Sequence, residues 1–419
     1  FALTPFADAS GLDRSISAAL TADRAATDQL VAQLREQGPN GLAALTQHFA
    51  TDLAAIRQSP RTSSPDQQRL RALIDATAAQ KDAAFSELFW FTDVERAKAA
   101  AAAAGKPILS LRLLGRLDEE RSCANSRFFR TVLYANESVS GYLRDHFILH
   151  WESVRPVPKI TIDFGDGRTM ERTITGNSIH YVLDSTGRPI DALPGLYSPA
   201  GFLSLLKRTE AVVGTLAAFN ESSFQRNLRE YHAKTLLSAD EERRSAFAKA
   251  GVAEAATRRM VVTPAAGAFS AAEAGVLAKS KRVVEMPLVA ATNRLRQLSS
   301  ITDTDWTKVA AAYPPTAALD ANSRVLFASK QPADKTSEAV QAALTAFERT
   351  LAEDTARNEF VLHARLHEWF ATGTAPAALA ELNEKVYTEL FLTPSSDPWL
   401  GLAPADAYSA LEGDGLVRR

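Results

Sequence analysis

The run Leu111-Arg-Leu-Leu-Gly-Arg-Leu-Asp-Glu-Glu-Arg-Ser-Cys123-Ala-Asn-Ser126-Arg-Phe-Phe-Arg130 decides how this 419-residue chain is read. An apolar stretch, Pro107 to Leu114, passes through a charged loop into a helix-forming segment. The one cysteine of the chain stands where that helix starts. A helix N-terminus carries unpaired N–H groups and partial positive charge, so a thiolate is stabilised there. The stretch therefore predicts both an α/β fold and one reactive atom.

Upstream, Asp93 to Ala104 is an Ala-rich helix closed by Gly105, and Lys106-Pro107 opens the strand Ile108 to Leu114. Downstream, Arg127 to Tyr134 continues the helix, Val139 to Asp145 adds a turn or two, and Phe147 to Trp151 is a second strand. Strand, helix, strand is a βαβ unit. Lys159 to Gly165 and Arg168 to Thr175 alternate in polarity around Asp166-Gly167, which predicts a hairpin. Asp163-Phe-Gly165 matches a kinase metal-binding motif by accident, since none of that motif's partners accompany it. Ser178 to Ile190 reads as a strand, a turn at Gly187 and the start of another strand, and a helix from Pro199 to Lys207 closes the unit.

The order of these elements, with Gly105-Lys-Pro-Ile-Leu109, Cys123-x-x-Ser126, Tyr181-Val-Leu-Asp184-x-x-Gly187 and Leu193-Pro-Gly-Leu196, resembles the thioredoxin-like superfamily over residues 93–207. The resemblance implies that Cys123 is the attacking thiol, with Ser126 where dithiol members carry a second cysteine. A dithiol cycle within one chain is excluded. The superfamily's cis-proline would fall near Ser178, where there is none. A cis bond without proline costs about 2.5–4 kcal/mol, so a trans bond is expected. Asn177, Ser178 and His180 would line the wall opposite the thiol and bind substrate. The enzymatic reading is a single-thiol redox centre, a thiol-disulfide oxidoreductase or one-cysteine peroxidase. Arg121 and Arg127 would favour the thiolate and Ser126 would donate a hydrogen bond to it. The product is a mixed disulfide or sulfenic acid, and an external thiol or protein partner completes the cycle. The alternative is a non-catalytic scaffold or complex subunit built on a degenerate thioredoxin-like domain.

Both flanks read as helical, residues 1–92 and 208–419. Two amphipathic helices are expected over residues 12–58, broken at Gly38-Pro-Asn-Gly41, and another over Asp66 to Leu88. Phe89-Trp90-Phe91 reads as core. Helical spacing continues over Val212–Leu237, Ala239–Ala250, Ser270–Leu298, Ser337–Asp354 and Thr355–Phe370, with a capping box at Ser270-Ala-Ala-Glu273.

Charges nearly cancel, 47 Lys and Arg against 49 Asp and Glu, and no basic block interleaves with aromatics, so nucleic acid is not expected as a partner. No apolar run approaches the roughly 20 residues of a membrane span. One cysteine forbids an intrachain disulfide. A chain opening on Phe1 is expected to be a mature form of an exported or periplasmic protein, with a cytoplasmic protein the alternative. No cofactor signature appears. The metal reading rests on Cys123, His150 and His180, which would hold copper or zinc if they met at one end of the sheet, with His146 sharing a strand with His150. His363 and His367 sit at i and i+4 on a helix, but Ala364 follows the first where a zincin needs Glu, so an interhelical or solvated pair is expected.

Overall fold

The structure, a computed structural model, describes residues 9–174, 177–253 and 301–400. The helix expected over Ser270–Leu298, with its capping box, lies outside them. Among the described residues, five strands form one mixed sheet. In chain order they are β1 (Trp90–Phe91), β2 (Ile108–Leu114), β3 (Ile148–Arg155), β6 (Ile179–Leu183) and β7 (Pro189–Pro194), arranged β1-β3-β2-β6-β7. β1 and β2 run parallel to β3, while β6 runs antiparallel to both β2 and β7. The hairpin β4 (Lys159–Asp163) and β5 (Thr169–Thr173) forms a separate two-stranded ribbon.

Every residue of β2 is buried, because strands flank it on both sides and helices cover both faces. The helix α6 (Val94–Ala104) starts at Asp93, whose carboxylate accepts from the N–H groups of Glu95 and Arg96, and ends at Gly105 with φ 63°. Beyond β2, α7 (Ala124–Phe128) runs into a wide turn, Phe129–Leu133, and α8 (Glu137–His146) follows. After β7, α9 spans Pro199–Leu216. α9 thus runs through the expected boundary at 207, and the sheet begins at Trp90, ahead of 93.

The flanks are helical, with different breaks. Residues 9–58 hold four helices where two are expected: α1 (Ala9–Ala18), α2 (Arg24–Glu36), α3 (Pro39–His48) and α4 (Ala50–Gln58). Pro39 does not end a helix. It opens α3 at a position whose N–H needs no partner. α5 (Pro65–Ala78) stops ten residues short of Leu88, since Ala79 turns left-handed at φ 52° and the Asp75 carboxylate captures the Ala83 N–H at 2.9 Å. That places Gln80 to accept from the Trp90 indole at 2.8 Å. Further on, α10 (Glu221–Lys249) begins where Asn220 caps the Ser223 N–H, so the break falls at 217–220 and not at 238.

Both flanks close on the sheet. Arg35 of α2 donates to Thr77 O at 2.8 Å and Trp90 O at 3.1 Å. Helix Ala321–Ser329 packs on α4 and on the turn Phe129–Leu133, and Lys330 pairs with the buried Asp82 at 2.9 Å. One apolar core runs from Ile16 to Phe391. No described helix is long and apolar enough to cross a membrane.

Among the described glycines the closest approach is where α2 meets α3, and a Cβ at Gly41 would stand 2.1 Å from Leu34 O. Backbone cannot yield as a side chain can, so Gly41→Ala is expected to cost about 1–3 kcal/mol. Denaturant midpoints of the two chains measure it, and equal midpoints would mean the helices part freely.

Candidate functional site

Cys123 caps α7, as expected, and its N–H donates to Leu114 O at 3.2 Å, so the helix starts against the end of β2. Its side chain is 0 % exposed. Sγ lies 3.1 Å from Ser178 Oγ and donates to Ser126 Oγ at 3.4 Å. The single Ser126 hydroxyl hydrogen is drawn to Ser122 Oγ at 2.7 Å or Cys123 O at 2.8 Å. Ser126 is therefore an acceptor toward the sulfur, in place of the donor role expected for it. The nearby cations are engaged elsewhere: Arg121 pairs with Glu171 at 3.0 Å, and Arg130 donates to Glu119 O and Glu120 O at 2.8 and 3.2 Å. Arg127 is half-buried on α7.

Ser178 faces the thiol from just before β6, with Asn177 beside it and a trans bond between the two. The chain's own C-terminal segment covers them. Tyr387 donates to Asn177 O at 2.8 Å, Asn177 Nδ2 donates to Phe391 O at 3.3 Å, and Arg155 donates to Thr393 O at 2.8 Å. Burial, and after it the neighbouring Cys123, push the phenols of Tyr134 and Tyr387 well above their ordinary range. The sulfur is enclosed between α7, β6 and this segment.

The proposed histidine ligands do not converge. His146 ends α8 and does not share the strand of His150; it bonds Glu210 at 2.9 Å. His150 lies opposite Ser110 on β2 and bonds it at 2.9 Å, whereas His180 lies opposite Leu111. Successive residues of β2 point to opposite faces, so His150 and His180 are on opposite sides of the sheet. His180 meets Tyr134 instead, Oη to Nε2 2.6 Å.

A different set comes together beyond β7. Asp191 accepts at Oδ1 from Ala192 N at 2.8 Å and from His363 Nε2 at 3.0 Å, and at Oδ2 from the Tyr231 hydroxyl at 3.1 Å. His363 also bonds Glu359 at 2.8 Å, and although burial opposes its charge the two carboxylates hold it up at about 9. Beside it, Nδ1 of His232 on α10 lies 2.7 Å from Nδ1 of His367 on helix Ala364–Thr372. Asp191, His232, His363 and His367 are all fully buried. Of the pair expected to be interhelical or solvated, His367 reaches another helix, α10, while His363 bonds β7 and its own helical segment. Asp191 and His232 were missed, because an Asp inside an apolar strand and a lone His in a long helix carry no local signal. Family models, curated proteins and solved structures yield no match to this chain.

Burial, aided at His150 by Arg112, holds His150 and His180 neutral down to about 3. An unfolded imidazole protonates near about 6.5, so between these values the unfolded chain binds protons that the folded chain refuses. The part of the stability owed to these two histidines is complete above about 6.5 and declines as pH falls, by up to about 1.4 kcal/mol per pH unit for each, whereas the part owed to His363 is lost as pH rises from about 6.5 through 9. Urea midpoints are expected to drop below pH 6.5 even before carboxylates titrate, and His150→Gln to shallow that slope. A slope unchanged in His150→Gln would contradict this assignment.

Proposed function

We propose that residues 90–216 are a divergent thioredoxin-like domain that no longer turns over thiols and forms the centre of a scaffold protein, one subunit of a larger complex with a protein partner. The domain reading draws support from the strand order β1-β3-β2-β6-β7, with β2 parallel to β3 and antiparallel to β6. It also draws on the position of Cys123 at the start of the helix after β2. The observation that carries the loss of turnover is the enclosed sulfur. A substrate disulfide needs to approach Sγ in line, and Tyr387 and Phe391 of the same chain are bonded to the wall it would approach along.

A single-thiol redox centre is the second reading, favoured by the Ser178 hydroxyl 3.1 Å from Sγ, close enough to donate to a thiolate. Alkylation of the folded full-length chain, followed against pH, separates the two. The scaffold reading expects no labelling until denaturant is added, and a partner recovered equally by wild type and Cys123→Ser. Labelling of the folded chain with an apparent pKa clearly below about 8.5 would replace it with the redox reading.

A further inference from the structure

The contact between His232 and His367 has a shape that hydrogen bonding alone leaves incomplete. His232 Nε2 lies 2.9 Å from Ile190 O and must donate to it, which leaves Nδ1 of His232 bare and facing His367. His367 then supplies the hydrogen of the 2.7 Å Nδ1 to Nδ1 bond, and its own Nε2 is a buried lone pair without a partner. A backbone carbonyl fixing one imidazole tautomer so that the other nitrogen points into a site is also how metal-ligating histidines are oriented. Ligand atoms of Asp191, His232 and His367 lie within 4.8 Å of one another, and among the described residues this set alone does so. The Asp191 carboxylate is itself held by Ala192 N and His363 Nε2 at Oδ1 and by Tyr231 at Oδ2. Thr209 has one hydrogen, and at 3.0 Å it favours Leu205 O over Asp191 Oδ2 at 3.3 Å, so one oxygen lone pair of Asp191 stays available.

We propose that Asp191, His232 and His367 are the ligands of a divalent transition-metal ion of the zinc class, a site that ties β7 to α10 and to helix Ala364–Thr372. Two imidazoles and one carboxylate suit such an ion, and a fourth position is left for a small donor. Zinc to nitrogen bonds of about 2.0–2.1 Å separate two ligand nitrogens by about 3.3 Å, so the imidazoles part by about 0.6 Å on binding. The proton on His367 Nδ1 moves to Nε2, which stays without a protein partner, and the ion takes the vacated Nδ1 lone pair. No proton leaves the protein. Phe370 stacks on the His232 ring at 4.3 Å and also lines a surface cavity of 330 Å3 with Phe224 and Leu228, so the site lies one ring away from that cavity.

The inference stands apart from the scaffold reading and is tested with zinc alone. The full-length chain, stripped with a chelator and dialysed, is expected to take up a single zinc equivalent with a binding enthalpy that does not vary with buffer, since no proton is released. Asp191→Asn and His367→Gln are expected to weaken uptake more than about 100-fold, beyond the range of outer-shell changes. His150→Gln should leave it intact. Zinc X-ray absorption of the wild type keeps the test decisive if either variant fails to fold, with nitrogen and oxygen neighbours at about 2.0–2.2 Å expected and no sulfur at about 2.3 Å. No zinc uptake, uptake undiminished in folded Asp191→Asn, or a sulfur neighbour drawn from Cys123 would overturn the site.

Discussion

A strand buried along its whole length sets the terms for this molecule. β2 has apolar residues on both faces and a strand on each side, so each face needs a helical layer and each layer needs cover of its own. α6 alone, with its run of alanines, is too slender to seal one face. The N-terminal helices and the C-terminal segment complete the enclosure, which is why the apolar core does not divide at the edges of the sheet. The flanking helices are structural parts of one body.

Enclosing so much surface traps charge, and the chain handles it by pairing. Burial opposes ionisation of Asp82, yet Lys330, Arg130 and Arg71 hold its carboxyl below the usual range. The acid lies in the N-terminal part and its closest cation in the C-terminal part. A buried ion pair adds little net stability, but removing one partner strands the other charge, so such a pair specifies which surfaces meet. Asp191 with His363 and Glu359 does the same between the sheet edge and the helix that carries His367.

Local rules made part of this readable. Gly105 and Asp93 bracket α6 as capping chemistry requires, and the alternating hairpin around Asp166-Gly167 stands where turn chemistry put it. Rules fail where a contact beyond the repeating pattern decides. α5 ends early because the Asp75 carboxylate captures the Ala83 N–H, and Pro39 opens a helix after Gly38 instead of ending one. At the candidate site the same limit is sharper. Cys123 stood out by being single, but its enclosure depends on Tyr387 and Phe391, residues far along the chain. The histidines looked alike in sequence. Pairing register, which sets His150 and His180 on opposite faces, was not visible without the order of the strands.

The bond from Tyr387 to Asn177 joins positions 210 apart. During synthesis at about 5–20 residues per second, the sheet is made many seconds before the segment that closes over Cys123 leaves the ribosome. Until that segment joins the fold, the wall over Cys123 lacks the cover that Tyr387 and Phe391 give it. The cover of the one thiol is thus set by the last described part of the chain, so chemistry at Cys123 is a matter of when that part closes as much as of what surrounds the sulfur.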